Sequence, residues 1–218
     1  KEASLLDEKS LYHKIKNEVF DIFYINIRSF SKHQADLWND LAAKQAKFIC
    51  LVETWIEAST PSPISTDDKF MYHSSYGRGR GSAIVTHEEN SHVLTVSTEF
   101  FQLVSIPLAS FQLTVIYISP QHQQADLQDV RRALTQTLDC SVLQLVIGDF
   151  NFDCNKINCL TNYFQDEGLA QVVSEPTHKD GRIIDQIYAS KEIKDNIELF
   201  VEFKYFSDHS ALHMKINV

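Results

Sequence analysis

The chain lacks any long hydrophobic run. Nothing approaches the 18 or so consecutive apolar residues of a spanning helix, so no membrane segment is expected. It has no visible signal peptide, no internal repeat and no low-complexity tract. It begins at Lys1 rather than Met, the pattern of a domain excised from a longer polyprotein. Cysteines number only four, Cys50, Cys140, Cys154 and Cys159, enough for two disulfides. Cys50 and Cys140 lie in apolar patterns where buried free thiols are common. Cys154 and Cys159 have no Cys-x-x-Cys partner, which argues against structural zinc. A reducing, intracellular compartment follows. Positive charge is also short: 20 Lys and Arg against 29 Asp and Glu leave a formal charge of −9. That balance excludes a protein that grips polyanions through overall charge.

What is present is core. Hydrophobic residues make up 44% and charged residues 22% of 218, which suits one globular domain. Residues 1–19 carry Leu11, Ile15 and Val19 at helical spacing and read as a leading helix, with residues 20–218 as the main domain. Strands are expected at 20–27, 47–52, 83–86, 92–97, 100–106, 111–119, 142–147, 183–189, 197–204 and 211–218. Helical patterns cover 34–47 (core face Leu37, Trp38, Leu41), 125–138, and 157–167 up to Gly168. Helices interleaved with strands, and meandering strands between them, imply mixed sheets rather than a doubly wound parallel one.

The polar residues that follow these strands are the informative ones. Val142 to Ile147 runs into Gly148-Asp149-Phe150-Asn151, which places a carboxylate and a carboxamide on the same side of a strand end. Gly148 permits a close backbone approach or an unusual dihedral there. Ser207-Asp208-His209 precedes the last strand and Asp185 opens the one before it. Asn26 ends the first strand, Glu53 follows the second, and Tyr117 lies late in the strand at 111–119. Each has an ordinary reading: a salt-bridged Glu53, an Asx turn at Asp149 and Asn151, a turn Asn26, a core Tyr117. Together they are the parts needed to activate water and stabilise a phosphoryl oxyanion, with Glu53 an oxygen donor of the kind hard cations prefer. Ser207 reads as a backbone cap; nothing resembles a serine-hydrolase elbow.

In their order and spacing, Asn26, Glu53, Tyr117, Asp149/Asn151, Asp185 and Asp208/His209 resemble the endonuclease/exonuclease/phosphatase superfamily, which includes apurinic-site endonucleases and deoxyribonuclease I. Asn26-Ile27-Arg28-Ser29, Glu53-Thr54-Trp55, and Pro176-Thr177-His178 leading to Ile184-Asp185 further resemble the endonuclease domains of non-LTR (LINE-type) retrotransposons, also found in Helitron-type elements. The Gly77–Gly81 loop resembles that branch too, although Arg78 and Arg80 interrupt its glycines; with no Gly-Lys-Ser/Thr following, it is no Walker loop.

The resemblance implies an α/β (α+β), DNase I-like four-layer sandwich of two mixed β-sheets flanked by helices. It implies a Mg²⁺-dependent DNA endonuclease, with Mn²⁺ able to substitute, that leaves a 3′-hydroxyl able to prime integration. Asp149 would activate water, Asn151 place it, His209 backed by Asp185 stabilise the oxyanion, and Tyr117 contact phosphate. Glu53 and Asn26 would hold the metal with Asp208 close by. Thr177, Arg28, Arg78 and Arg80 would contact the duplex along its phosphate backbone and minor groove. Partners would be neighbouring reverse transcriptase or helicase domains, in the nucleus and not at a membrane. With a charge of −9, DNA binding should be weak and strongly salt-sensitive. The alternatives are an apurinic-site repair endonuclease, a phosphoinositide or nucleotide phosphatase, or an inactive binding module of the same fold.

Overall fold

The computed structural model describes residues 19–65, 68–139 and 141–217. The leading helix expected at 1–19 lies outside these residues except for Val19, which opens the first strand, and Cys140 is likewise outside. Among the described residues, thirteen strands form two sheets. The first contains β1 (Val19–Asn26), β2 (Phe48–Val52), β3 (Ile64–Ser65), β4 (Phe70–Ser74), β5 (Ser82–Thr86), β12 (Ile197–Phe203) and β13 (Ser210–Asn217), in the order β12-β13-β1-β2-β5-β4-β3. The second contains β6 (Leu94–Ser97), β7 (Phe101–Pro107), β8 (Phe111–Ile118), β9 (Leu143–Asp149), β10 (Leu169–Gln171) and β11 (Asp185–Ser190), in the order β10-β11-β9-β8-β7-β6. Both sheets are mixed: β1–β2 and β8–β9 are parallel, their other pairings antiparallel.

Side-chain alternation builds the layers. In β1, Phe20, Ile22 and Tyr24 enter the core between the sheets, while Phe23 and Ile25 face the opposite side. There they pack with Leu37 of α1 (Phe30–Asn39) and Ala43 of α2 (Leu41–Gln45). In β8, Phe111, Leu113, Val115 and Tyr117 point inward, whereas Ile116 and Ile118 meet α3 (Gln124–Thr137) and α4 (Cys159–Asp166). Helices, sheet, sheet and helices are the expected four layers. A one-turn helix, α5 (Lys191–Lys194), also packs Ile193 into the inter-sheet core.

Three expectations change. The helix at 34–47 is two helices, because Asp40 is extended (φ −68°, ψ 129°) and its carboxylate accepts from the Ala43 N–H at 3.1 Å, starting a new helix. Leu41, expected in the core, is consequently 74% exposed. The strands β3, β4 and β10 have no counterpart among the expectations; β3 and β10, two and three residues long, carry too few to show a period.

Topology decides where the functional residues meet. Parallel pairing puts the C-terminal ends of β1 and β2 side by side, and likewise β8 and β9, with Tyr117 opposite Asp149. Antiparallel pairing brings the start of β11 to the end of β9, Asp185 opposite Asp149. The start of β13 lies by the end of β1 in the same way, with Leu212 opposite Tyr24. All the polar strand ends therefore gather at one end of the sandwich.

Candidate active site

Asn26 is the hub. Fully buried, its amide nitrogen donates to Glu53 Oε1 (3.0 Å) and Asp149 Oδ2 (3.0 Å) and lies 3.4 Å from His209 Nε2. Its amide oxygen accepts from the Arg28 N–H at 3.3 Å. Asn26 is expected to support a metal beside Glu53 through its amide oxygen; here the nitrogen is turned to Glu53 and the oxygen to the Arg28 N–H. Glu53 Oε2 accepts from the Trp55 indole at 3.3 Å.

Asp149 is fully buried and accepts from the Asn151 backbone N–H at 2.9 Å. The Asn151 side chain donates to the Ile118 carbonyl (2.8 Å), which ties the end of β8 to the turn after β9. Burial, and then the facing Asp185 carboxylate, push the Asp149 carboxyl up to about 8 despite the neighbouring His209. Gly148 is dictated by space: a Cβ there would sit 1.9 Å from the Ile116 carbonyl oxygen, so the close approach read from the sequence is real.

His209 Nδ1 lies 2.8 Å from Asp185 Oδ2, and Asp185 Oδ1 accepts from the Tyr24 hydroxyl at 2.7 Å. Burial alone would lower the imidazole pKa, but Asp185, with Asp149 and Asp208, raises it to about 9. The ring is thus a cation with Nε2 turned to the cluster. Ser207 is the cap it was read to be: its hydroxyl accepts from the His209 N–H (3.1 Å) and donates to the Asn26 carbonyl (2.8 Å). The Tyr117 phenol is pushed far up, by burial and then by Glu53 and Asp149, and stays a proton donor.

Other expected residues are placed differently. Thr177 is wholly buried, its hydroxyl accepting from the N–H groups of Ile184 (3.2 Å) and Asp185 (3.0 Å). It therefore positions Asp185 instead of reaching a phosphate. Asp208 Oδ2 is engaged by Arg28 at 2.7 Å and Lys179 at 3.3 Å. Burial would raise its carboxyl; Arg28 and Lys179 lower it to about 2. Arg78 lies over the Trp55 ring (5.6 Å) and Arg80 over Tyr76 (5.0 Å). Tyr24, Lys179 and His178, whose ring stands edge-on to His209 at 4.8 Å, went unassigned. Tyr24 shares a strand face with Asn26, two residues away, and that alternation was the signal available for it.

Backbone conformation marks the same place. Among the described residues the non-glycine positions with φ between +47° and +97° are Arg28, Ser29, Glu53, Trp55 and Asn151, all at these strand ends. Such conformations persist where surrounding contacts impose them.

The donor set fits a hard divalent cation. Burial first, and then the Asp185 and Glu53 carboxylates, raise Asp149, a penalty that a bound cation offsets. Ligand atoms of Asp149, Asp185 and His209, and separately of His178, Asp208 and His209, lie within 4.8 Å of one another. Asp208 Oδ1 is buried without a hydrogen-bond partner.

Residues 111–213 match the family model described as endonuclease-reverse transcriptase. No curated protein sequence matches the chain. Solved structures share its fold. The endonuclease domain of TRAS1, a telomere-specific non-LTR retrotransposon, is 14% identical with a TM-score of 0.66, over 92% of this chain and 99% of that one. An AP endonuclease from Archaeoglobus fulgidus is 14% identical with a TM-score of 0.72, over 91% and 100%. A 3′ phosphatase from Neisseria, bound to a product DNA hairpin, is 15% identical with a TM-score of 0.68, over 91% and 100%. Residues 111–213 thus resemble the endonuclease-reverse transcriptase family, and along nine-tenths of its length the chain has the fold of these nucleases and phosphatases.

Proposed function

We propose that this chain is the DNA endonuclease domain of a mobile element, nicking one strand of duplex DNA by hydrolysis. The observation that carries this reading is the Asn26 amide meeting Glu53, Asp149 and the Asp185-backed His209 at one point. Those contacts join a base, an anion-stabilising cation and a metal carboxylate within one phosphate's reach. A bound Mg²⁺, for which Mn²⁺ can substitute, held by Glu53, whose carboxylate Asn26 orients, with Asp208 at its edge, would neutralise charge on the phosphate and leaving oxygen.

The chain's own residues supply the rest. Asp149, fixed by the Asn151 N–H, takes a proton from water as the water oxygen bonds to phosphorus. His209 donates from Nε2 to the non-bridging oxygen where charge develops, and Tyr117 donates to the same phosphate. The bond to the 3′-oxygen breaks and that oxygen takes a proton from solvent water, leaving a 3′-hydroxyl and a 5′-phosphate. Arg28, Arg78 and Arg80 take up neighbouring phosphates. In the nucleus the free 3′-hydroxyl would prime copying by a reverse transcriptase, or act with a helicase, carried on the same polyprotein.

The test is nicking of supercoiled plasmid with Mg²⁺ or with EDTA, by wild type and His209→Ala. Relaxed circles from wild type with metal alone are expected. Parallel assays on abasic duplex and inositol phosphates separate the alternatives: hydrolysis confined to either would replace this reading with a repair endonuclease or a phosphatase. The 3′ phosphatase among the structural relatives makes that comparison necessary.

A further inference from the structure

The rim beside Glu53 carries two aromatic rings, each with a guanidinium group lying over it. Trp55 follows the Glu53 turn at φ +56°, and its indole N–H donates to Glu53 Oε2 at 3.3 Å. Arg78 lies over that indole, its guanidinium 5.6 Å from the ring centroid. Tyr76 is 44% exposed, with Arg80 5.0 Å from its ring centroid. The loop is held in place. The Trp55 N–H donates to the Arg80 carbonyl (2.9 Å), the Gly81 N–H to the Gln102 side chain (3.1 Å), and Ser97 Oγ to the Ser75 carbonyl (2.7 Å). A Cβ on Gly81 would meet Thr54 Oγ1 at 2.4 Å, so the loop can lie this close to the Glu53 turn only with glycine there.

Phosphate binding alone does not require rings. A flexible Arg-Gly loop would serve, and cations pinned over aromatic faces give up some freedom to follow a backbone. Flat guanidinium groups held over rings, and the rings themselves, instead offer planar faces to another π system, the kind of surface that holds unstacked nucleobases. Arg78 is exposed, so its free face is open to such a partner. The indole hydrogen bond sets this surface beside the Glu53 carboxylate, so a base on it would belong to a nucleotide near the scissile phosphate.

We propose that Trp55, Tyr76, Arg78 and Arg80 form a stacking subsite for one unpaired nucleobase adjoining the scissile phosphate. The preferred substrate is then DNA with an unstacked nucleotide beside the cut, as at a bulge or a flexible step. This rests on the nuclease reading above and deepens it.

Two measurements test it, one of them independent of cutting. Duplexes that are fully paired, or carry a one-nucleotide 2-aminopurine bulge, are nicked with Mg²⁺ by wild type, Tyr76→Phe and Tyr76→Ala. The same duplexes are titrated with each protein in EDTA while 2-aminopurine fluorescence is followed. Wild type and Tyr76→Phe should cut the bulged duplex better by about 5- to 150-fold, the span that stacking one base covers. They should also quench the probe. In Tyr76→Ala the preference should fall towards one and the quenching disappear. Equal cutting of both duplexes by wild type, or an undiminished preference in Tyr76→Ala, would overturn the subsite. Quenching by a wild type that cuts neither duplex would keep the subsite and refute the nuclease reading; neither cutting nor quenching would refute both.

Discussion

Asp149 and Asp185 stand directly opposite each other across the β9–β11 pairing, and neither carboxylate is exposed. Two facing buried acids oppose each other's ionisation, and here Asp149 takes the proton, its pKa raised to about 8. The unfolded chain loses that proton near pH 4. Between about 4 and 8 the native state thus binds more protons, and this group's contribution to stability falls as pH rises. His209 acts in the same sense: its contribution is full below its ordinary 6.5 and is lost as pH climbs through about 9. Asp149→Asn removes the first of these losses. In EDTA, the urea midpoint of the variant should rise relative to wild type between pH 5 and 8. A difference that stays constant over that window would refute the buried-acid account.

The proposed reaction needs Asp149 ionised and His209 charged. In the metal-bound protein the rising limb of kcat/KM should lie below pH 8, since a cation favours the carboxylate, and the falling limb near 9. Asp185→Asn removes the largest influence that raises His209. Its falling limb should move to lower pH, with activity reduced on the order of 10²-fold or more. An unmoved falling limb would mean that Asp185 does not tune the imidazole.

Tyr24 extends this chain inward. Its buried hydroxyl donates to Asp185 Oδ1, and Tyr24→Phe leaves that oxygen unpaired at a cost of roughly 1–3 kcal/mol. For a domain of this size that is a fall in Tm of about 2–4 °C for each kcal/mol. Calorimetry checks it; an unchanged Tm would show that the hydrogen bond contributes nothing net.

Much of this was legible in the sequence, for identifiable reasons. Asp149, Asp185 and His209 each follow or open a strand whose apolar run is long enough to show its type, so their location at sheet ends could be read. The residues that orient them could not. Tyr24 sits inside an apolar strand and looks like core. Thr177 carries a motif position, yet its burial depends on how the 176–183 segment folds beneath β13. The break at Asp40 turned on one side chain capping Ala43, a local choice that leaves the helical period of 34–47 intact. The charge of −9 says nothing of arrangement: Arg28, Lys179, Arg78 and Arg80 lie at the site end together with Glu53, Asp149, Asp185 and Asp208.

Lys179 is 66% exposed beside Asp208, whose Oδ2 it shares with Arg28, and suits a flanking phosphate. If it neutralises one, Lys179→Ala should reduce the slope of log K against log salt by about 0.9 on duplex DNA. Fluorescence anisotropy between 50 and 200 mM salt would measure this. A weaker complex with an unchanged slope would assign Lys179 to holding Asp208 instead.

Gly148 tests the frame that holds the site. A methyl group there would sit 1.9 Å from the Ile116 carbonyl oxygen and 2.8 Å from the Ile116 Cγ2, and both belong to the neighbouring parallel strand. Relief requires β8 and β9 to separate where Tyr117 faces Asp149. Gly148→Ala should therefore cost about 3 kcal/mol or more, the upper end of overpacking effects, and should abolish nicking in whatever fraction still folds. Gly168 offers the control. It has φ +73° and open space around it, so Gly168→Ala carries only the left-handed penalty of about 1–2 kcal/mol. Urea unfolding of the two variants separates steric from conformational cost. Equal losses would mean that the β8–β9 contact yields easily, and that the glycine before Asp149 is there for its dihedral freedom alone.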